Sequence, residues 1–238
     1  MEKIITYETL RSFAYCNDQL IHGQIKGIIL EFDGLGSTAM FSESKPGQFY
    51  AEQNILFVFP YNDPWAWMNR RAVAYTDEIL DVLFDRYDLP ENTPIVSSGG
   101  SMGGLSAIVY CRYAKRTPSL CVTNCPVCDL PYHYTERPDL PRTLYSAFAA
   151  YEGTLDEAMR SNSPLHLVGS LPRIRYVQFH CDNDHAVNID KHSRRFVEAM
   201  QAAGYDVTFI VCHGQDHCHL TDEYWEKYRL ACLPVRPD

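Results

Sequence analysis

The stretch "PIVSSGGSMGGLSAIVYCRYA", Pro94 to Ala114, holds a Gly-x-Ser-x-Gly motif from Gly99 to Gly103, with further glycines at Gly100 and Gly104. A serine hydroxyl is a poor nucleophile at neutral pH. It needs a base within hydrogen-bond reach, a group that orients the base, and donors for the oxyanion. A tight strand-to-helix turn lifts such a serine clear of a sheet. The residues two before and two after it must then be small, because neighbouring backbone passes close. Gly99 and Gly103 meet that need around Ser101, and Ser97 and Ser98 become strand-end residues. The backbone N–H of Met102 would open the following helix and point at an oxyanion, with the helix dipole adding to the stabilisation. Glycine-rich turns also serve packing alone, so the motif needs partners before it carries chemistry.

Such a turn calls for an acid and then a histidine, in that chain order, each after a later strand. After the strand ending at His180 comes "CDNDHAVNIDKHS", which offers Asp182 and Asp184. After the strand ending near Cys212 comes "HGQDHCHL", which offers His213, His217 and His219, the last of them entering the final helix.

These residues can meet only if the intervening elements stack them on one edge. "GIILEF" and "NILFVFP" read as buried strands, and "RRAVAYTDEILDVLFDRY" as a helix with Val73, Ile79, Leu80, Leu83 and Phe84 on one face. "TPIVS" is then a strand and "MGGLSAIVYCRYAKR" a helix. "SLCVTNC" and "IRYVQFH" are strands, "DKHSRRFVEAMQAAG" a helix ending at Gly204, "YDVTFIVC" a strand and "TDEYWEKYRLAC" a helix. Short apolar runs alternating with helices imply an α/β fold, a mostly parallel central sheet with helices on both faces. The segment from about 129 to 164 breaks the rhythm with Tyr132, His133, Tyr134, Tyr145, Phe148 and Tyr151 among prolines. It reads as a small cap over the carboxyl ends of the strands, within a single domain covering 1–238.

From about Gly27 onward the chain resembles the α/β-hydrolase family. It is most similar to compact bacterial esterases and to the catalytic domain of prolyl-oligopeptidase-type hydrolases. The segment "HCDNDHAVNIDKHSRRFVEAMQAAGYDVTFIVCHGQDH" carries the likeness. The family's H-G-x-x-D-x-x-V pattern implies Asp184 as the acid, in register with His180 and Val187, with Cys181 in place of the glycine and Asp182 as the competing carboxylate. Its glycine, two residues, histidine pattern fits Gly214 to His217 and implies His217 as the base, ahead of His213 and His219. "FDGLGS", Phe32 to Ser37, resembles the family's H-G-x-G loop with Asp33 in place of histidine, which implies Leu35 as the second oxyanion donor beside Met102. The resemblance implies a serine hydrolase that cleaves carboxylic esters, short-chain or acetyl, through an acyl-enzyme and without a cofactor. A peptidase or amidase of the prolyl-oligopeptidase lineage is the second reading, weakened because that lineage's N-terminal propeller has no room in 238 residues. A non-catalytic binding module on the same fold is the third.

In "YNDPWAWMNRR", Trp65 and Trp67 are candidates to line an acyl or alcohol pocket, and Arg70 to grip a substrate carboxylate; packing of the tryptophans into the core is the competing reading. Tyr132 joins them as a substrate contact from the cap. A formal net charge of −9 argues against a nucleic-acid partner and for small or neutral substrates. No run approaches the roughly 20 apolar residues of a membrane span. "MEKIITYETL" lacks the apolar core of a signal peptide. Nine cysteines, an odd number, then read as reduced thiols in a cytoplasmic protein. Cys125-Pro126-Val127-Cys128 lacks the context of a redox motif or a zinc finger, and no H-E-x-x-H occurs, so no metal is expected. Nothing in the sequence sets the oligomeric state.

Overall fold

The structure is a computed structural model that describes residues 4–234. Its seven strands are β1 (Ala14–Cys16), β2 (Gly27–Phe32), β3 (Ile55–Pro60), β4 (Ile95–Gly100), β5 (Leu120–Asn124), β6 (Arg175–Cys181) and β7 (Val207–Cys212). They form one sheet in the order β1-β3-β2-β4-β5-β6-β7. All neighbours are parallel except β1, which runs antiparallel to β3 with Ala14 opposite Pro60.

Both faces of the sheet are buried, which is why the central strands read as unbroken apolar runs. Side chains alternate between two cores. Ile28, Leu30, Leu56, Val58 and Ile95 face one core, and Ile29, Ile55, Phe57 and Val96 the other. The first core is covered by α2 (Arg70–Tyr87), α3 (Met102–Tyr113) and α8 (Ser193–Ala202), through residues such as Leu80, Ile108 and Phe196. The second is covered by α1 (Lys45–Glu52) and α9 (Asp222–Ala231), through Tyr50 and Tyr228.

Helix ends follow the sequence closely. Asn69 caps α2, its side-chain oxygen accepting from Ala72 N–H, while its amide donates to the Ala147 carbonyl; such a cap contributes about 1 kcal/mol. Gly204 takes φ 73° just past α8. Two elements escape the sequence reading. β1 has only three residues and pairs on one side alone. α1 is built from "KPGQFYAE", whose proline and glycine suppress the helical signal; the Ser44 cap and Pro46 in the first turn make it possible. The segment expected to form a cap folds as four short helices, α4 (Leu130–His133), α5 (Leu140–Phe148), α6 (Leu155–Arg160) and α7 (Pro164–Leu167). Among the described residues no helix is long and apolar enough to cross a membrane.

Candidate active site

Ser101 sits between β4 and α3 at φ 58°, ψ −123°, a conformation non-glycine residues rarely adopt. Main-chain bonds hold it there. Its N–H donates to the Asn124 carbonyl at 2.9 Å, and its carbonyl accepts from Leu105 and Val127. The flanking glycines are sterically obligatory. A Cβ on Gly103 would lie 2.0 Å from the Phe32 carbonyl oxygen, and one on Gly99 would lie 2.5 Å from the Gly103 oxygen.

The loops after β6 and β7 bring the other two groups to this turn. His217 Nε2 lies 2.9 Å from Ser101 Oγ, and His217 Nδ1 lies 2.6 Å from Asp184 Oδ2. The other Asp184 oxygen accepts the N–H groups of Ala186 and Val187, both at 2.8 Å. With one carboxylate oxygen committed to the backbone, the other is fixed toward the ring. Nδ1 therefore carries the proton, and Nε2 presents its lone pair to the Ser101 hydroxyl. His180 backs the acid. Its Nε2–H donates to the Val187 carbonyl at 3.0 Å and lies 3.4 Å from Asp184 Oδ2.

The rivals sort themselves out. Asp182 pairs with His213 at 2.8 Å on the surface. His219, expected to enter the last helix half-buried, is an exposed loop residue, because α9 begins only at Asp222.

Charge follows the same geometry. Burial opposes ionisation of Asp184, but the His180 and His217 donors and the Val187 N–H outweigh it and hold its pKa well below the usual carboxylate range. Burial likewise opposes the His217 imidazolium, yet the net shift is upward, with Asp184 and Cys218 Sγ as the opposing influences. Contact with Cys125, and then burial, keep Cys218 a thiol, so Asp184 carries the upward shift at neutral pH.

The dyad of Ser101 and His217 opens into a cavity of about 450 Å³, walled by Leu35, Phe59, Trp67 and Val187 among others. Among the described residues, no protein acceptor faces the N–H of Leu35 or of Met102. Asp33 turns back on its own loop, its Oδ1 accepting from Gly34 N–H at 2.7 Å. Of the four residues expected to contact substrate, only Trp67 lines the cavity, fully buried and donating Nε1–H to Thr143 at 3.1 Å. Trp65 lies apart under the Arg142 guanidinium. Arg70 stacks on the Tyr113 ring at 3.2 Å, so its charge is spent on an aromatic face. Tyr132 packs against the His192 ring.

The cavity wall also holds residues that sequence reading passed over. Glu31 is in the lining, its carboxyl pushed up to about 7 by desolvation against a bond from the Ser98 hydroxyl. His133 and Arg137 come from the helical segment after β5. His133 Nδ1 bonds Glu136 Oε2 at 2.5 Å, and His192 Nε2 reaches the same oxygen at 2.9 Å. The only available signal for this group was the spacing of His133 and Glu136 by one helical turn.

No family model matches the chain, and no curated protein matches it in sequence. Solved structures do match. The uncomplexed Pyrococcus horikoshii acylaminoacyl peptidase is 15% identical with a TM-score of 0.69, over 88% of this chain and 37% of that one. Esterase PE8 is 14% identical with a TM-score of 0.60, over 88% and 93% of the two chains. Thermogutta terrifontis esterase 2, phosphonylated by sarin, is 20% identical with a TM-score of 0.59, over 87% and 82%. The chain has the α/β-hydrolase fold. It spans little more than a third of the length of the acylaminoacyl peptidases it matches. In the α/β-hydrolase fold a serine on a strained turn after a central parallel strand stands at the carboxyl edge of the sheet, where this cavity opens.

Proposed function

We propose that the protein is a serine hydrolase acting on carboxylic esters through an acyl-enzyme. The observation that carries this reading is the continuous chain from Ser101 Oγ to His217 Nε2 and from His217 Nδ1 to Asp184, built on a strained turn. Ser101 attacks the ester carbonyl as His217 takes its proton. The N–H groups of Met102 and Leu35 receive the oxyanion of the tetrahedral intermediate. His217 then protonates the departing alcohol, and in the second half-reaction it activates water to free the acyl group. Leu35 supplies apolar wall to the substrate, and the fully buried Trp67 supports that wall.

Esters are favoured over amides because the esterases match along most of both chains. A peptidase or amidase remains the second reading, supported by the higher TM-score of the acylaminoacyl peptidase match. A fluorophosphonate probe tests the nucleophile: the wild type takes up one label and Ser101→Ala takes up none. Labelling that persists in Ser101→Ala overturns the assignment. Turnover of aminoacyl anilides that equals or exceeds that of short p-nitrophenyl esters promotes the peptidase reading.

A further inference from the structure

Three clusters of metal-ligating side chains bring their donor atoms within 4.8 Å of one another: Cys125, His217 and Cys218; Cys125, His180 and Asp184; and His133, Glu136 and His192. Tautomers separate them. A histidine binds a metal only through a nitrogen that has no proton. His180 Nε2 faces the Val187 carbonyl, an acceptor, so it carries its proton. His192 Nδ1 accepts the N–H groups of Cys128 and Asp129 at 3.1 and 3.2 Å, which puts the proton on Nε2, the nitrogen facing Glu136. Neither ring offers a lone pair to its cluster. His217 does, because Asp184 holds the proton on Nδ1 and leaves Nε2 unprotonated, its lone pair accepting the Ser101 hydroxyl until a metal displaces that bond.

Around that nitrogen the sulfurs are well placed. Cys218 Sγ lies 3.8 Å from His217 Nε2. Tetrahedral zinc, with bonds of about 2.3 Å to sulfur and 2.0 Å to nitrogen, needs a sulfur–nitrogen separation of about 3.5 Å. Cys125 Sγ is held beneath by the N–H groups of Cys181 and Cys218, at 3.3 and 3.4 Å. Both cysteines occupy positive φ, 47° at Cys125 and 56° at Cys218, where glycine would cost less. His217 and Cys218 line the same cavity as the carboxyl group of Asp33.

We propose that Cys125 Sγ, Cys218 Sγ and His217 Nε2 form a site for a thiophilic divalent cation such as Zn²⁺ or Cd²⁺, and that the bound ion silences Ser101. The silencing rests on His217 being the base of the proposed hydrolase; the binding does not. Two thiols give up their protons to solvent, two sulfur–metal bonds and one nitrogen–metal bond form, and the ion sheds water. No electrons change hands. The lone pair that would take the Ser101 proton is then committed to the metal. The fourth position falls to water or to the Ser101 hydroxyl, 2.9 Å from the same nitrogen.

Binding is read apart from activity by titrating full-length protein with Cd²⁺ and following the near-ultraviolet thiolate-to-cadmium absorption. One equivalent should develop the band in both the wild type and Ser101→Ala. Loss of either sulfur in Cys218→Ala and Cys125→Ala should weaken binding by at least the roughly 100-fold that loss of an outer-shell partner can cost. Cys218→Ser and Cys125→Ser serve if an alanine chain fails to refold. Zn²⁺ should suppress fluorophosphonate labelling of the wild type, reversibly on adding a chelator, and the same variants should resist it in proportion to their weaker binding. An undiminished Cd²⁺ band in both cysteine variants overturns the site, as does equal Zn²⁺ sensitivity in all the proteins. A metal-free wild type that takes no label overturns the hydrolase reading and leaves the Cd²⁺ result standing.

Discussion

Asp184→Asn isolates the orienting carboxylate with little disturbance of the fold. The amide can sit only one way. Its oxygen must stay where Asp184 Oδ1 accepts the N–H groups of Ala186 and Val187, because an NH₂ there would face two donors. The new NH₂ group is therefore turned toward His217 Nδ1. That nitrogen must become an acceptor, the ring proton moves to Nε2, and the lone pair that serves Ser101 disappears. The imidazolium of the transition state also loses its counter-charge. With charge centres about 4 Å apart and an effective dielectric of about 20, that pairing contributes about 4 kcal/mol. Together with the wrong tautomer this approaches the roughly 10⁴-fold loss, about 5 kcal/mol, that the same exchange causes in serine-protease triads. Initial rates on p-nitrophenyl acetate and the rate of fluorophosphonate labelling should both fall by that order at a temperature where circular dichroism shows the variant folded, and its melting temperature should fall as the stability of the pair is lost. Asp182→Asn, whose side chain meets the exposed His213 ring and the Gly214 N–H but neither Ser101 nor His217, should stay within about twofold of wild type. A loss of less than about tenfold in Asp184→Asn, or an equal loss in Asp182→Asn, refutes the reasoning.

The same carboxylate sets the pH profile. Because Asp184 raises the His217 pKa, the base form that Ser101 needs fills only above the ordinary histidine value, so the acid limb of kcat/KM should lie above about 6.5. A limb at or below that value contradicts the shift. The stability linked to the pair has the opposite sign on each partner. The His217 share is complete below about 6.5 and fades as pH rises through its raised value, whereas the Asp184 share is complete above about 4 and fades as pH falls toward its lowered value. Gly103→Ala should fail to give folded protein by circular dichroism, since its Cβ would meet main chain at 2.0 Å, while Gly34→Ala, with open space at its Cβ, should melt within a few degrees of wild type. Trp67→Phe removes the Nε1–H bond to Thr143 and should cost about 1 kcal/mol in chemical denaturation.

What was legible in the sequence is what backbone sterics and chain order dictate. The Gly-x-Ser-x-Gly spacing is a consequence of contacts with Phe32 and within the turn, and the order of acid and histidine follows the order in which β6 and then β7 extend the sheet beyond β5. β1 and α1 were hidden for opposite reasons: one is too short to show a period, and the other has weak intrinsic propensity overcome by its cap and by burial of Tyr50. The substrate wall was the least legible. Trp65, Arg70 and Tyr132 have the right chemistry, but a stack or an exposed face claims each side chain. His133 and Arg137 reach the cavity only because the helices after β5 fold back over it, a long-range arrangement with no local period to announce it.

The glycines have a wider role than clearing space for a serine. The Phe32 carbonyl ends β2 and begins the loop that carries Leu35; it is also the group a Cβ at Gly103 would strike at 2.0 Å and one at Gly99 at 2.8 Å. The turn around Ser101 and the loop of Leu35 are thus in direct main-chain contact, with no side chain between them. Pairing of Phe32 with Gly99 in the parallel register of β2 and β4 fixes their relative height. Side-chain contacts can adjust by rotamer changes, but backbone touching backbone in a seven-stranded sheet cannot yield without breaking strand pairing. The height of the Ser101 turn relative to the start of the Leu35 loop is therefore set by the sheet itself. Under the proposed hydrolase reading, a fixed base of this kind favours pre-organised oxyanion donors, since donors that must move toward the developing charge surrender part of their stabilisation.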